Sequence, residues 1–247
     1  MIDAQFLTLL ILGAVAAGFI NGLAGFGTAL FSLGFWLQIM PPVQAVLVVL
    51  VMSLLSGFQG VILVRRAIQW PRLARFLVPA LVGVPIGTAL VVWIEPTLLK
   101  LVIAGFLILY GMFFAFRREL PALTRPTPII DGSVGFAGGV LGGLAGLSGA
   151  LLTMWCAMRP WPKAEQRAVL QPYNFIIQVI ATTLFIIQGA FDRETMLIMA
   201  IAAPFTLGSA QVGLFVFKRM GDAQFRRLLI VLMLISGLLL MARELLL

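Results

Sequence analysis

A glycine-rich block occurs twice in this chain, at residues 22–30 and again at residues 143–151. The two blocks read GLAGFGTAL and GLAGLSGAL, so the second begins 121 residues after the first in a chain of 247. Each block lies inside a long apolar segment, where glycine weakens what would otherwise be a continuous helix. A glycine interruption at corresponding positions in two halves of a membrane protein is typical of a transporter's binding site.

The composition indicates an integral membrane protein. Hydrophobic residues make up 62% of the chain and charged residues 11%, whereas soluble domains are about 45–50% apolar and about 25% charged. Lys and Arg outnumber Asp and Glu by 17 to 9, which gives a net charge of +8. The basic residues lie in short connecting loops, so they indicate membrane orientation rather than nucleic-acid binding.

The chain has no histidine and one cysteine, Cys156. An intramolecular disulfide, a cysteine-rich metal site and a Ser-His nucleophile are therefore excluded. Residues 146–149, GLSG, fit the GxSG pattern of intramembrane serine proteases, but that chemistry needs a general base such as histidine. We expect no catalytic residue, no metal and no cofactor, and a membrane enzyme is the weakest functional alternative.

Hydropathy divides the chain into eight apolar segments, most of them close to the ~20 residues that cross a bilayer as a helix. They run over residues 5–39, 43–64, 74–94, 98–116, 129–158, 168–188, 195–217 and 228–242. Residues 79–83, PALVG, match residues 204–208, PFTLG, and residues 45–47 match residues 168–170, both AVL. We therefore predict an all-α polytopic protein of two four-segment repeats, residues 1–120 and 121–247.

The loop charges favour an inverted repeat. The loop after the second segment holds four arginines between residues 65 and 75, whereas its counterpart at 192–194 holds two acids and one arginine. The loop after the third segment reverses this pattern, with Glu95 in the first half and four basic residues between 218 and 227 in the second. Because Lys and Arg mark the cytoplasmic side, equivalent loops are predicted on opposite faces.

An inverted repeat needs an odd number of crossings in each half. Four segments satisfy this if the long first segment of each half is a helix, a glycine break and a returning helix. Broken backbone at membrane depth is tolerated where it lies within protein or lines a wet cavity. The alternative is that both long segments are tilted continuous helices and that the repeat is parallel.

Polar side chains lie near the glycine blocks and along the second and sixth segments at helical spacing. Backbone N–H groups at unwound turns beside helix N-termini favour an anion. The alternative is that the glycines serve close helix contact and that the polar groups pair between helices. The predicted substrate site comprises Asn21, Gly22, Gly25, Gly27, Thr28, Ser53, Gln59, Gly143, Gly146, Ser148, Gly149, Tyr173, Asn174 and Gln178.

No Asp or Glu lies clearly inside an apolar segment; Asp131 and Glu165 border segments. Intramembrane carboxylates are the usual carriers in proton- or cation-coupled transport, so their absence favours an anionic substrate. Arg159, Lys163 and Arg167 lie between the fifth and sixth segments. They are predicted either to collect anions at a vestibule or to anchor the protein at the membrane interface.

The paired G-L-x-G-x-G-like blocks, with Pro41-Pro42 after the first and Pro79-x3-Gly83 in the third segment, resemble the sulfite exporter TauE/SafE family. The resemblance covers nearly the whole chain. It implies a multi-pass permease of the bacterial inner membrane that moves sulfur-containing anions such as sulfite or sulfonates, with import and export both open. The family motif corresponds to Gly22, Gly25 and Gly27 and to Gly143, Gly146 and Gly149.

The sequence thus predicts a secondary transporter that binds a small sulfur-containing anion between the two glycine breaks and works by alternating access. Its expected partners are this anion and the lipid bilayer, without nucleic acid, and homo-oligomer formation is left open. A passive anion channel of the same fold and a non-transporting membrane scaffold are the alternatives.

Overall fold

The structure, a computed structural model, describes residues 3–95 and 125–221 and positions 97, 98, 101, 105, 108, 109, 112, 123 and 224. Over these residues the chain is all-helical, as predicted, without a strand. A short 3-10 helix, Arg65–Ala67, follows α3. Eight α-helices are described: α1 (Ala4–Ala24), α2 (Thr28–Trp36), α3 (Pro42–Val64), α4 (Trp70–Trp93), α5 (Pro128–Ala145), α6 (Ser148–Ala157), α7 (Lys163–Ile187) and α8 (Arg193–Arg219).

Six of these helices, namely α1, α3, α4, α5, α7 and α8, are long and apolar enough to cross a bilayer. They correspond to six of the eight predicted segments. Of the other two, 98–116 lies mostly and 228–242 wholly outside the described residues. The six candidate spans indicate a multi-pass membrane protein.

The two short helices form hairpins with the helices before them. The indole N–H of Trp36, at the end of α2, donates to the carbonyl of Leu10 in the first half of α1 at 3.2 Å. The indole N–H of Trp155, near the end of α6, donates to Asp131 in the first turn of α5 at 2.7 Å. Helices of 9 and 10 residues are about 15 Å long, which is half the hydrocarbon thickness.

Contacts between the long helices establish their directions. On α7, Gln171 contacts Gly57 of α3, and Gln178 faces Ser53 across a shared cavity, so α3 and α7 are antiparallel. Helix α1 runs parallel to α8, because Gly18 packs against Thr206 and Gly22 against Ala210. The same parallel arrangement relates α5 to α4. Exchanging the two halves of the chain therefore converts the α1–α8 contact into the α5–α4 contact.

Glycines on α1 and α5 allow these two contacts to be close. A Cβ on Gly18 or Gly22 would overlap backbone atoms of α8, and a Cβ on Gly139 or Gly143 would overlap backbone atoms of α4. Lipid supplies no hydrophobic driving force between helices, so packing of this kind holds them together. The two glycines on each helix are four residues apart, which is the small-xxx-small spacing.

We expect Gly135→Ala to lower the thermal stability of the protein in detergent. On α5, a Cβ at Gly135 would overlap the carbonyl of Phe76, and overpacking against backbone costs about 1–3 kcal/mol. Gly132→Ala on the same helix is the matched control, because its Cβ would lie 3.5 Å from Pro79 Cγ, an ordinary contact. Unfolding followed by tryptophan fluorescence checks both variants. Equal midpoints for the two would contradict the close α4–α5 packing.

Candidate functional site

A cavity lies between the two points at which the hairpins turn. Its lining comes from the α1–α2 turn, the α5–α6 turn, α3 and α7. The cavity volume is about 210 Å³ when the part that opens to solvent is included. Side chains crowd it, so the free space in this conformation is about that of one water molecule. The lining residues are Phe26, Gly27, Ala29, Leu30, Ser53, Gly146, Leu147, Gly149, Ala150, Asn174 and Gln178.

The first turn depends on two glycines in the left-handed region. Gly25 ends α1 with φ of 81°, and its N–H donates to Asn21 O at 2.8 Å. Gly27 is the N-cap of α2 with φ of 97°. A residue with a Cβ is strained in this region, so glycine is the residue that lets the chain reverse here.

The second turn uses one such glycine. Gly146 ends α5 with φ of 69°, and its N–H donates to Gly142 O at 2.9 Å. The next N–H, of Leu147, donates to Leu141 O at 3.1 Å. The bond from Gly146 to Gly142 is that of an αL-type ending, and together the two bonds satisfy two of the last carbonyls of α5 as the chain turns into α6.

The N-termini of α2 and α6 both contribute to the cavity wall. Gly27, Ala29 and Leu30 belong to the cap and first turn of α2, and Leu147, Gly149 and Ala150 to those of α6. The first N–H groups of a helix have no intrahelical acceptor, and no side chain caps either of these helices. Aligned peptide dipoles give each N-terminus partial positive charge, roughly +0.5. These two N-termini therefore place partial positive charge at the cavity although no charged side chain lines it.

Asn174 on α7 links the two turns. Its Nδ2 donates to Gly25 O at 3.3 Å, and its Oδ1 accepts a hydrogen bond of 2.5 Å from Ser148 Oγ, the first residue of α6. One side chain thus joins the end of α1 to the start of α6 while lining the cavity. A displacement of either turn changes the position of this amide.

Gln178, one turn further along α7, is the second amide in the wall. Its Nε2 donates to Gly146 O at 3.3 Å, whereas its Oε1 has no hydrogen-bond partner although the residue is only 3% exposed. Buried amide oxygens are rarely left unpaired, because the lost hydration is not replaced. An acceptor is therefore available beside the two helix N-termini.

A model of the sulfite exporter TauE/SafE family matches residues 10–240, nearly the whole chain. The chain belongs to this family. Membership indicates a membrane protein that transports an anion, and it points away from an enzyme. No curated protein and no solved structure matches the chain.

The matched region of this TauE/SafE protein includes every residue of the predicted site. Six of them line the cavity: Gly27, Ser53, Gly146, Gly149, Asn174 and Gln178. Ser148 and Gly25 are not among the lining residues, but both form hydrogen bonds with Asn174, which is. Ser148 donates to Asn174, and the carbonyl of Gly25 accepts from it. Tyr173 does not line the cavity. Its side chain extends from α7 to α5, where its hydroxyl donates to Gly135 O at 2.8 Å.

Four of the five remaining predicted residues of this TauE/SafE chain lie in helix contacts. Gly22 packs against α8 and Gly143 against α4. Asn21 donates to Ser56 Oγ at 2.6 Å, and Gln59 accepts a hydrogen bond from Gln211 on α8. Thr28 is buried at the start of α2, and its Oγ1 has no partner.

Five apolar residues of the wall were not predicted: Phe26, Ala29, Leu30, Leu147 and Ala150. All five lie inside the repeated TauE/SafE blocks. Their side chains carry no polar signal, and a search for polar groups passes over them. A sequence signal for four of them exists: each short helix begins just after a glycine, Gly27 or Gly146, and the cap and first turn of a helix present N–H groups to a ligand.

Two of the predicted basic residues of this TauE/SafE protein, Arg159 and Arg167, make structural contacts. The guanidinium of Arg167 donates to Gly22 O at 2.9 Å and to Leu23 O at 3.2 Å, so it caps the C-terminal end of α1. Cations are favourable at that end of a helix. Arg159 pairs with Asp131 at 3.0 Å and donates to the carbonyls of Leu123 and Arg125.

Arg159→Leu is expected to destabilise the protein by about 3–5 kcal/mol, because removing one partner leaves a buried charge uncompensated. Both side chains of the Arg159–Asp131 pair are only 6% exposed. The double variant Arg159→Leu/Asp131→Leu is expected to regain most of this loss. Chemical denaturation in detergent measures both. A double variant less stable than the single one would show that the hydrogen bonds of Asp131 to Trp155 and Thr127 outweigh the cost of its uncompensated charge.

Proposed function

We propose that this chain is a permease of the bacterial inner membrane that moves small sulfur-containing anions, such as sulfite or organosulfonates, by alternating access. The observation that carries the proposal is the convergence of two uncapped helix N-termini, those of α2 and α6, on one cavity without a charged side chain. Such termini bind anions through backbone N–H groups and the helix dipole. The family's description as a sulfite exporter supports the choice of anion.

No charged group lines the cavity wall, which favours an anion that binds with moderate strength and is released again. A lysine or arginine in the wall would bind an anion strongly and would itself be costly to bury in the membrane. Backbone N–H groups and the amides of Asn174 and Gln178 offer hydrogen bonds without a full charge. A transported ion must enter and also leave, so a site of moderate strength suits transport.

Helix directions support an inverted repeat. Helices α3 and α7 are equivalent in the two halves and run antiparallel. The α1–α2 hairpin starts where α8 starts, whereas the α5–α6 hairpin starts where α4 starts. The hairpins therefore enter from opposite faces and meet near the middle. In inverted-repeat transporters, the substrate site lies at such a junction of broken helices, and one half rocks against the other.

Basic residues support the orientation. The end of α3 and the 3-10 helix, the starts of α4 and α7, and the end of α8 lie on one face, where Arg72 pairs with Glu165 at 2.9 Å. Acidic residues Asp3, Glu95, Asp192 and Glu194 lie at helix ends on the other face. By the positive-inside rule, the basic face is cytoplasmic.

The test is counterflow of radiolabelled sulfite in proteoliposomes that contain the purified protein. Preloading with unlabelled sulfite is expected to drive transient accumulation of label, with saturation at high external concentration. A passive channel would give flux without counterflow. No flux from folded protein would leave the scaffold alternative, which the cavity with Ser53, Asn174 and Gln178 in its wall argues against. An imposed potential of either sign then determines whether import or export is favoured.

A further inference from the structure

The unpaired oxygen of Gln178 sets a requirement on whatever occupies the cavity. The Nε2–Gly146 hydrogen bond of 3.3 Å fixes the orientation of the amide, because the carbonyl of Gly146 can only accept. Oε1 is then the free end, and it has no partner in a residue that is 97% buried. Leaving a buried acceptor unpaired is costly, whereas a donor supplied by the ligand would satisfy it. A bare oxyanion has only acceptors.

The charge of the wall sets a second requirement. The N-termini of α2 and α6 and the C-termini of α1 and α5 meet at the two turns with partial charges that offset one another, and the guanidinium of Arg167 on the last carbonyls of α1 leaves about one positive charge. None of the residues that line the cavity is ionisable. A single negative charge is balanced by this wall, whereas a second would stay uncompensated in a membrane-embedded site.

We propose that the cavity selects a singly charged oxyanion that also carries one hydrogen-bond donor, and that Gln178 Oε1 accepts from this donor. The inference rests on the proposed function and specifies its substrate. Hydrogensulfite, HOSO₂⁻, has one charge and one O–H group. Doubly charged sulfite has no hydrogen-bond donor, and its second negative charge stays uncompensated in this site. The site thus distinguishes two protonation states of the same compound.

Two isosteric anions test the donor requirement. Sulfamate and methanesulfonate are both singly charged near neutral pH, and they differ in an amino group against a methyl group. We expect wild-type protein in proteoliposomes to transport labelled sulfamate with a kcat/KM about tenfold above that of methanesulfonate, since methyl leaves the acceptor unpaired. Equal values would overturn the donor requirement and indicate that water satisfies Oε1 in the complex.

Variants then assign the preference to one side chain. Gln178→Leu removes the acceptor and is expected to bring the sulfamate-to-methanesulfonate ratio to about 1. Gln178→Met, which is more flexible, is the second choice if the leucine variant does not fold. Gln188→Leu makes the same change at the exposed C-terminal cap of α7 and is expected to keep the wild-type ratio. A wild-type ratio in both Gln178 variants would overturn the assignment.

Sulfite flux as a function of pH tests the charge requirement. Flux at constant total sulfite, divided by methanesulfonate flux at the same pH, is expected to rise as the pH falls and hydrogensulfite replaces sulfite. The division removes the pH dependence of the protein, because methanesulfonate keeps its charge. Helices α1, α2 and α3 carry no titratable residue. The titratable residues on the other helices at the cavity are Asp131 on α5, Cys156 on α6, and Lys163, Glu165, Arg167 and Tyr173 on α7.

The outcomes separate this inference from the proposed function. A normalised flux that falls with decreasing pH would show that the dianion is the substrate, which overturns the inference while the permease stands. Absence of flux for sulfite, sulfamate and methanesulfonate alike, from protein shown to be folded, overturns the permease itself.

Discussion

Replacing Gly146 with leucine is expected to abolish anion flux while the protein still inserts into the membrane. Gly146 has φ of 69°, and a Cβ there would lie 2.6 Å from Val49 Cγ1 on α3. The residue lines the cavity, so a leucine side chain would occupy the space between the two turns. Initial flux in proteoliposomes, per folded protein, is the measurement.

Backbone strain alone does not account for this expected loss, and Gly189 provides the control. Gly189 also has a positive φ, 70°, but a Cβ there would meet nothing within 4 Å, and the residue is exposed after α7. Gly189→Leu therefore carries the same left-handed strain, about 1–2 kcal/mol, without filling the cavity. We expect its flux to stay close to that of the wild type. Wild-type flux in Gly146→Leu would contradict a site between the turns.

The helices were predictable because hydropathy and length decide them. An apolar stretch of about 20 residues must satisfy its backbone internally, which leaves helix as the solution in lipid. Six described spans correspond to predicted segments. The glycine blocks also indicated where backbone would depart from helix, since a left-handed residue between two helices selects glycine. These features are local in sequence.

The roles of individual residues were not predictable, because they depend on which helix faces which. Gly22 and Gly146 occur in the two copies of the same block. Gly22 allows α1 to approach α8, whereas Gly146 permits a turn with φ of 69°. Both need the absence of a Cβ, so their sequence signals are identical. Asn21 and Asn174 are similarly alike in sequence, yet Asn21 joins α1 to α3 and Asn174 lines the cavity.

Arg167 shows the same limit for charged groups. Its position in a basic loop indicated either a vestibule or an interface anchor. In the structure it reaches across to the last turn of α1, 144 residues away in sequence, and binds two carbonyls there. A contact of that separation is set by tertiary packing, and no local pattern in a single sequence reports it.

Asn174→Asp is expected to reduce anion flux more than any neutral replacement at the same position. Aspartate has nearly the shape of asparagine, but it loses the donor to Gly25 O and adds a negative charge at the cavity wall. Two like charges about 4 Å apart repel by about 4 kcal/mol at the effective dielectric of partly buried protein sites. We expect kcat/KM for sulfite to fall by about 100-fold or more, with the larger part of the change in binding.

Asn174→Leu separates charge from hydrogen bonding, because leucine is similar in size and neutral. It breaks the bonds to both Gly25 and Ser148, whereas aspartate still accepts from Ser148 Oγ, so leucine loosens the two turns at least as much as aspartate does. Any further loss of flux in the aspartate variant relative to the leucine variant then reports repulsion, and increasing the salt concentration should leave this further loss largely unchanged, since buried charges are screened little. If the aspartate variant transports sulfite as fast as the wild type, no negative charge passes residue 174, and the anion must cross this protein by a route other than the cavity between its broken helices.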